Sequence, residues 1–153
     1  MEARGISAKK FGFFNAEGSF FMQVAEAAGL IARGEGVTWW CRHPLAFLVE
    51  AADDICYRLV DFEDGYRLKF LSFDEVREAF LEVSGDPKDR ERAARNEDPK
   101  DQIAFLRAQA IGVSIRQVAE AFLEHEPAML EGEFDEELLS LALPARAALH
   151  HSQ

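Results

Sequence analysis

Three side chains that could bind a cation and a polar ligand recur at four-residue intervals near the middle of the sequence. They are Asp53, Tyr57 and Asp61, within the stretch from His43 to Gly65. Residues four apart stack along one side of an α-helix, one turn above another. Carboxylate oxygens suit Mg²⁺ or Mn²⁺, and one can also serve as a ligand in a mixed His/Asp site. The spacing therefore predicts two carboxylates and a phenol ring on one side of a helix.

A helix from Pro44 to Asp64 is expected to carry these residues. Proline suits the first helical turn, where its missing N–H is not needed, and Gly65 suits the position just past the end. On a helical wheel, one arc holds Glu50, Asp53, Asp54, Tyr57, Arg58, Asp61 and Asp64. Apolar residues fill the opposite side, and Ala46 and Phe47 intrude on the polar arc in the first turn. An amphipathic helix with a solvated acidic face is the plain alternative to a functional site.

Two features of the acidic face argue against that plain alternative. Several carboxylates crowd together with only Arg58 to offset them, and like charges at this spacing repel one another. In addition, Asp61, Glu63 and Asp64 lie in the last turn of the predicted helix, where the helix dipole disfavours anions. Because a bound cation would relieve both effects, the pattern favours a site.

The remainder of the sequence predicts an all-α fold of about five helices. Ala, Leu, Glu and Arg are plentiful, β-branched residues are few, and no segment alternates as a strand does. Ser72 and Glu75 have the spacing of a capping box that opens a helix ending near Ser84. Besides the central helix and this one, helices are expected over about residues 16–28, 99–125 and 134–142.

The predicted organisation is a single helical domain over residues 15–143. Residues 1–14 are expected to be a connector and residues 144–153 a tail. Within the domain, residues 86–101 are dense in charge and contain two prolines, which predicts a flexible loop.

Composition excludes several classes of function. The net charge of −11 argues against an extended nucleic-acid surface, which requires clustered Lys and Arg. No apolar run approaches the ~20 residues that a membrane span requires, so a cytoplasmic protein is the default expectation. Cys41 and Cys56 are too few for a disulfide framework and are expected to be buried free thiols.

The central stretch resembles a known family. The segment His-Pro-Leu-Ala-Phe-Leu-Val-Glu-Ala-Ala-Asp-Asp-Ile-Cys-Tyr, which begins at His43, is similar to a segment of the deoxyguanosinetriphosphate triphosphohydrolase family, within the HD-domain superfamily. Lys-Phe-Gly-Phe-Phe from Lys10 and Asp-Gln-Ile-Ala-Phe-Leu-Arg-Ala-Gln-Ala-Ile from Asp101 also resemble segments of that family. So does Phe-Asp-Glu-Glu-Leu-Leu-Ser from Phe134, and the four segments occur in the family's order.

The resemblance implies an all-helical enzyme, hexameric in many members, that hydrolyses a dNTP to a deoxynucleoside and triphosphate. The family's metal is held by a first His, a His-Asp pair and a later Asp, and Asp53 corresponds to that later Asp. Tyr57 and Asp61 correspond to residues that contact the sugar, with Asp61 near its 3′-hydroxyl. The implied chemistry is metal-assisted attack of water on the α-phosphorus, with Mg²⁺ or Mn²⁺ as the expected cation.

Three of the four implied metal ligands have no counterpart in this sequence. None of its four histidines, His43, His125, His150 and His151, is followed by Asp. The family places the other ligands N-terminal to the matched region. The sequence is therefore interpreted as the C-terminal portion of such an enzyme, inactive alone. Its expected partners are a dGTP-like dNTP, and the N-terminal HD portion or sister subunits in a homo-oligomer.

Further assignments stay open at this level. Lys10, or its neighbour Lys9, could reach a phosphate and Arg107 could line the pocket, although each could equally be an ordinary solvated charge. His43 is expected to cap the central helix or pack against Trp40. For the protein as a whole, the alternative to an enzyme portion is a non-catalytic helical module that assembles with other subunits or senses a nucleotide.

Overall fold

Helices account for nearly all the regular structure in the computed structural model, which describes residues 13–33 and 39–143. A 3₁₀ turn, Asn15–Glu17, precedes six α-helices: α1 Gly18–Ala27, α2 Pro44–Arg67, α3 Phe73–Ser84, α4 Lys88–Ala93, α5 Pro99–Leu130 and α6 Leu138–Ala142. An isolated antiparallel bridge joins Ala32 and Trp40, and the described ranges contain no strand. The all-α prediction is confirmed. Most of the predicted connector and tail lies outside the described residues.

Helix α5 is the element on which the others assemble. It contacts α2, α3, α4 and α6. Apolar side chains recur along one side of it at spacings of three and four, so that Ile103, Leu106, Ala110 and Val118 are all buried. These residues join one core with buried side chains of α2, α3 and α6. Hydrophobic burial along this single face therefore organises the described fold.

The central helix α2 is longer than its sequence predicts. It continues through Gly65 to Arg67, and the residue with a positive φ is Lys69, at 63°. Gly65 has a different role, because a Cβ built on it would lie 2.8 Å from Leu71 Cδ1. Its carbonyl also accepts hydrogen bonds from the N–H groups of Phe70 and Leu71. Glycine therefore lets the Leu71 side chain pack closely against the helix, and the predicted end at Asp64 was wrong.

The start and the end of α3 agree with the sequence prediction. The Glu75 N–H donates to Ser72 Oγ at 3.3 Å, and the Ser72 N–H donates back to Glu75 Oε2 at 2.8 Å. Gly85 ends the helix with a φ of 67°. The hydrogen bonds from Ser72 hold the pKa of Glu75 below its ordinary value.

Replacing Ser72 with Ala should lower the free energy of unfolding by about 1 kcal/mol, the usual value for a lost N-cap. The pKa of Glu75 is lowered in the folded state. The stabilisation that the Glu75 carboxylate adds to the cap is therefore fully present above the ordinary glutamate pKa of about 4.3, and it is lost as the pH falls through the lowered pKa. Urea denaturation at pH 7 and pH 3 should therefore show a smaller difference between the two proteins at pH 3. An exposed control, Ser19→Ala on α1, should stay within about 0.5 kcal/mol at both pH values.

The charged segment 86–101 contains a helix that the sequence did not predict. Helix α4 spans Lys88–Ala93, and it buries Ala93 against the core. Asp89, only 2% exposed, pairs with Arg92 at 3.0 Å. Arg90 donates to Glu78 of α3, and this bond lowers the pKa of Glu78. The charges are thus paired across α3 and α4, so the predicted loop was wrong for residues 88–93.

Helix α5 is longer than the sequence predicted, and helix α6 is shorter. Helix α5 continues past His125 and through Pro127 to Leu130. The turn after the proline is retained because Met129 is 2% exposed and therefore packed in the core. Helix α6 begins at Leu138 rather than at Phe134. The Phe134 N–H bonds to the Ala128 carbonyl at 3.2 Å, so this residue takes part in ending α5.

Helix α1 is close to its expected range. The sequence predicts helix over 16–28, and the structure has the 3₁₀ turn followed by Gly18–Ala27, with Gly29 at a φ of 67° just beyond. In the residues before α1, the Phe13 ring stacks on Phe21 at 4.2 Å between centroids. Trp40 meets Phe21 edge-on at 5.2 Å, which joins α1 to the segment leading into α2.

None of the helices in the described ranges combines the length and the low charge that crossing a lipid bilayer requires.

Gly132 should be harder to replace than Gly85, although both have a left-handed backbone. A Cβ at Gly132 would lie 2.6 Å from Cys41 Sγ, whereas nothing lies within 4 Å of a Cβ at Gly85. Gly85→Ala is expected to cost about 1 kcal/mol from the backbone alone, and Gly132→Ala at least about 1 kcal/mol more. Chemical denaturation of both variants measures the difference. Equal costs would show that the contact with Cys41 relaxes freely.

Candidate functional site

The structure places the three predicted site residues on one exposed side of α2. Asp53, Tyr57 and Asp61 occur at successive turns of the unbroken helix, and all three are exposed, with Tyr57 at 63%. At 1.5 Å per residue the three span about 12 Å. We call these residues the acidic stripe.

The carboxylates of the acidic stripe are available to a ligand. Neither Asp53 nor Asp61 hydrogen-bonds or ion-pairs with another described residue. The neighbouring Glu50 differs, because it pairs with Arg42. Exposed carboxylates without a cationic partner fit a role as metal ligand or hydrogen-bond acceptor. Among the residues that the structure describes, no group of three or more His, Cys, Asp or Glu side chains could hold a metal ion.

A second exposed face of α2 is apolar. It consists of Leu45, Val49, Ala52, Cys56 and Val60, all of them exposed, and we call it the α2 apolar stripe. Leu45 is 56% exposed and Val49 is 69% exposed. The sequence placed these residues on the apolar side of the helix, and the structure leaves this part of that side in solvent. Cys56 was predicted to be buried, and that prediction was wrong. On the helical wheel this stripe lies directly beside Asp53 and Tyr57.

The core covers only part of the apolar arc that the helical wheel indicated, and it extends beyond that arc to Phe47. Phe47, Ala51, Ile55 and Leu59 are at most 5% exposed. Phe47 was expected among the polar residues, but its ring packs edge-on against Phe134, 5.0 Å between centroids. The apolar arc of α2 is wider than the surface that α5 and α6 can cover. Part of it is consequently left in solvent.

An ion-pair cluster at the C-terminal end of α2 was missed from the sequence. Glu63, only 6% exposed, pairs with Arg67 at 2.9 Å and with Arg107 of α5. Arg107 was predicted to line the ligand pocket, and the contact that the structure gives it is with Glu63. A role of Arg107 in ligand binding stays a prediction. The one available signal was Glu63 itself, an acid placed off the acidic face in the last predicted turn.

Replacing Glu63 with Gln should destabilise the fold, because Arg107 would lose its buried counter-ion. Breaking a buried pair costs 3–5 kcal/mol, and we expect about 1–3 kcal/mol because both arginines are partly exposed. Glu82→Gln is the matched control, an exposed acid on α3 without an ion pair to a described residue. Urea denaturation at neutral pH provides the measurement. A loss for Glu63→Gln no larger than for the control would mean that the cluster contributes nothing.

The two histidines within the described ranges have structural contacts. His43 Nδ1 accepts a hydrogen bond from the Leu45 N–H at 3.2 Å, which confirms its predicted capping of α2. The ring of His125 lies 5.3 Å from that of Phe134. The other two histidines and Lys10 lie outside the described residues, so the structure does not locate them.

A small cavity of about 290 Å³ lies at the N-terminal end of α2. Its walls are mainly apolar and include Ile31, Leu45, Phe122 and Met129, from the segment after α1, from α2 and from α5. The buried Cys41 borders it, and Arg33 donates to the Cys41 sulfur at 2.8 Å. Leu45 is shared with the α2 apolar stripe. The cavity is therefore continuous with that stripe, two turns before Asp53.

Comparisons with known proteins identify several relatives that share a similar description. Over 138 residues the chain is 45% identical to a deoxyguanosinetriphosphate triphosphohydrolase-like protein of Synechocystis sp., covering 90% of this chain. It is 34% identical over 140 residues to a protein of the same description from Pseudomonas aeruginosa. It is 27% identical over 152 residues to the deoxyguanosinetriphosphate triphosphohydrolase of Yersinia enterocolitica. No protein-family model matches the chain.

The matched region is a minor part of each relative. The chain spans 30% of the length of the Synechocystis protein, 31% of the Pseudomonas protein and 29% of the Yersinia protein. The similarity confirms the resemblance noted in the sequence. The coverage is consistent with the predicted C-terminal portion.

Proposed function

We propose that this chain, a homologue of part of the deoxyguanosinetriphosphate triphosphohydrolase family, supplies one wall of a metal-dependent dNTP triphosphohydrolase site. The reaction is hydrolysis of a dNTP, dGTP or a close analogue, to a deoxynucleoside and triphosphate. The observation that carries the proposal is the acidic stripe. Asp53, Tyr57 and Asp61 occur in sequence register with the family's segment, on an exposed helix face where no other described residue hydrogen-bonds or ion-pairs with them.

Asp53 is assigned as one ligand of a divalent cation, Mg²⁺ or Mn²⁺. The fit rests on its donor chemistry, since it is an exposed carboxylate without an ion pair to a described residue. When bound, the cation would supply an activated water and stabilise charge on the phosphate oxygens. One carboxylate is too few for such a site, so the remaining ligands come from another polypeptide segment. The chain alone is therefore inactive.

Tyr57 and Asp61 are assigned to the deoxyribose. The Tyr57 ring, one turn from Asp53, offers a flat apolar surface for the sugar, and Asp61 accepts a hydrogen bond from its 3′-hydroxyl. The rise of the helix puts the sugar contacts about 6–12 Å from the metal ligand, the direction in which a nucleotide extends from its α-phosphate. The substrate would thus lie along α2, with its triphosphate at the Asp53 end.

Complementation tests this proposal. The chain is mixed with the part of the Synechocystis relative that lies outside the matched region, and triphosphate release from dGTP is measured with Mg²⁺ or Mn²⁺. We expect activity in the mixture and none from either component. Asp53→Asn should lower the regained rate at least 100-fold, because the cation loses a ligand.

Asp64→Asn is the matched control for that substitution. Asp64 is an exposed aspartate on the same helix, about 16 Å further along than Asp53, and should keep the regained rate within a factor of two. Retention of the full rate by Asp53→Asn would contradict the metal assignment. Activity of the isolated chain at the rate of the mixture would contradict its being one wall of a shared site.

A further inference from the structure

We infer that the α2 apolar stripe is the docking surface for the polypeptide segment that completes the site, and not a contact between two copies of this chain. The inference rests on the proposed function and adds the surface by which the two parts associate. It follows from three properties of the described residues: exposed apolar area, its position beside Asp53, and the distribution of charge around it.

The first property is the area itself. The stripe runs from Leu45 to Val60, about 22 Å along the helix, and Leu45, Val49 and Val60 are 56%, 69% and 39% exposed. The residues recur at spacings of three and four, the pattern by which one helix packs on another. An exposed apolar surface of this regularity is typical of a protein–protein contact.

The second property is position. On the helical wheel the stripe occupies an arc about 80° wide, between the buried face of α2 and the acidic stripe. A helix seated on it would place its own flanking side chains next to Asp53 and Tyr57. One carboxylate cannot hold a divalent cation alone, so the segment that brings the other ligands lies near Asp53, and Asp53 borders the α2 apolar stripe.

The third property, the distribution of charge around the stripe, favours a different partner over a second copy of this chain. When two identical helices pack antiparallel, each flank of one helix faces the equivalent flank of the other. The acidic stripe would therefore face itself, with Asp53 and Asp61 on both sides and a net charge of −11 on each chain. A partner that brings a cation or cationic side chains to that flank replaces this repulsion with attraction.

The occupant is thus a helical segment with an apolar face and with cationic or metal-ligating side chains along one edge. The relatives supply a source for it, because the greater part of their length lies outside the matched region. Such a segment would cover Val49 and Cys56 and leave the acidic stripe open to a nucleotide on one side only.

The thiol of Cys56 reports directly on this contact. Cys56 is exposed in the stripe, whereas Cys41 is buried and serves as an internal indicator of unfolding. The full chain is treated with a maleimide, alone and with the unmatched part of the Synechocystis relative, and labelling at each cysteine is followed by mass spectrometry. We expect at least a tenfold slower reaction at Cys56 in the mixture. Unchanged labelling of Cys56 at a saturating concentration of the partner would overturn the inference. Protection of Cys56 in the chain alone, increasing with the concentration of the chain, would also overturn it.

Two variants locate the contact. Val49→Lys should abolish the protection of Cys56, whereas Leu123→Lys, an equally exposed position on the side of α5 opposite the core, should leave it intact. If Val49→Lys fails to fold, wild-type chain first alkylated at Cys56 with a bulky maleimide replaces it. That chain should not associate with the partner in sedimentation velocity, and association at wild-type strength would refute the inference.

The outcome is separable from that of the proposed function. Protection of Cys56 without triphosphate release would support the docking surface and refute the assigned chemistry. Triphosphate release without protection of Cys56 would support the chemistry and refute the docking surface.

Discussion

Packing along one face of α5 is the constraint on which the described structure depends. This helix has 32 residues, and its buried side chains contact α2, α3, α4 and α6. Because α5 offers only one apolar face, each neighbouring helix can bury only the part of its surface that reaches it. The short helix α4, for example, is held by one buried apolar side chain, Ala93, and by the ion pairs of its charged residues. The ion pair between Glu63 and Arg107 fixes the same packing at the C-terminal end of α2.

The division of α2 into three faces follows from that constraint. Phe47, Ala51, Ile55 and Leu59 lie against the core, and the acidic stripe points away from it. Between them is an apolar face with nothing among the described residues to cover it. A helix that only had to close a small core would carry polar residues there. Its composition is explained if α2 lies between two bodies, the described core and a segment that completes a nucleotide site, which agrees with the 30% coverage of the relatives.

The sequence was sufficient for local features and insufficient for those set by tertiary contacts. The capping box at Ser72 and the capping of α2 by His43 depend on neighbours in the chain, and both were predicted. The continuation of α2 past Gly65 depends on close packing with Leu71, and the exposure of Cys56 depends on how much surface α5 covers. Spacing alone put Asp53, Tyr57 and Asp61 together. It could not find Glu63, whose partner lies 44 residues away in α5.

Metal binding tests the central claim most directly, since that claim is that Asp53 is one ligand of a site shared between two polypeptide segments. Mn²⁺ titrations of the chain, of the complementary part of the Synechocystis relative and of their mixture can be compared by electron paramagnetic resonance. We predict a Mn²⁺ site in the mixture that is much weaker in each component alone. This site should be lost from the mixture when the chain carries Asp53→Asn. Equal Mn²⁺ affinity of the mixture with and without the Asp53 carboxylate would contradict it.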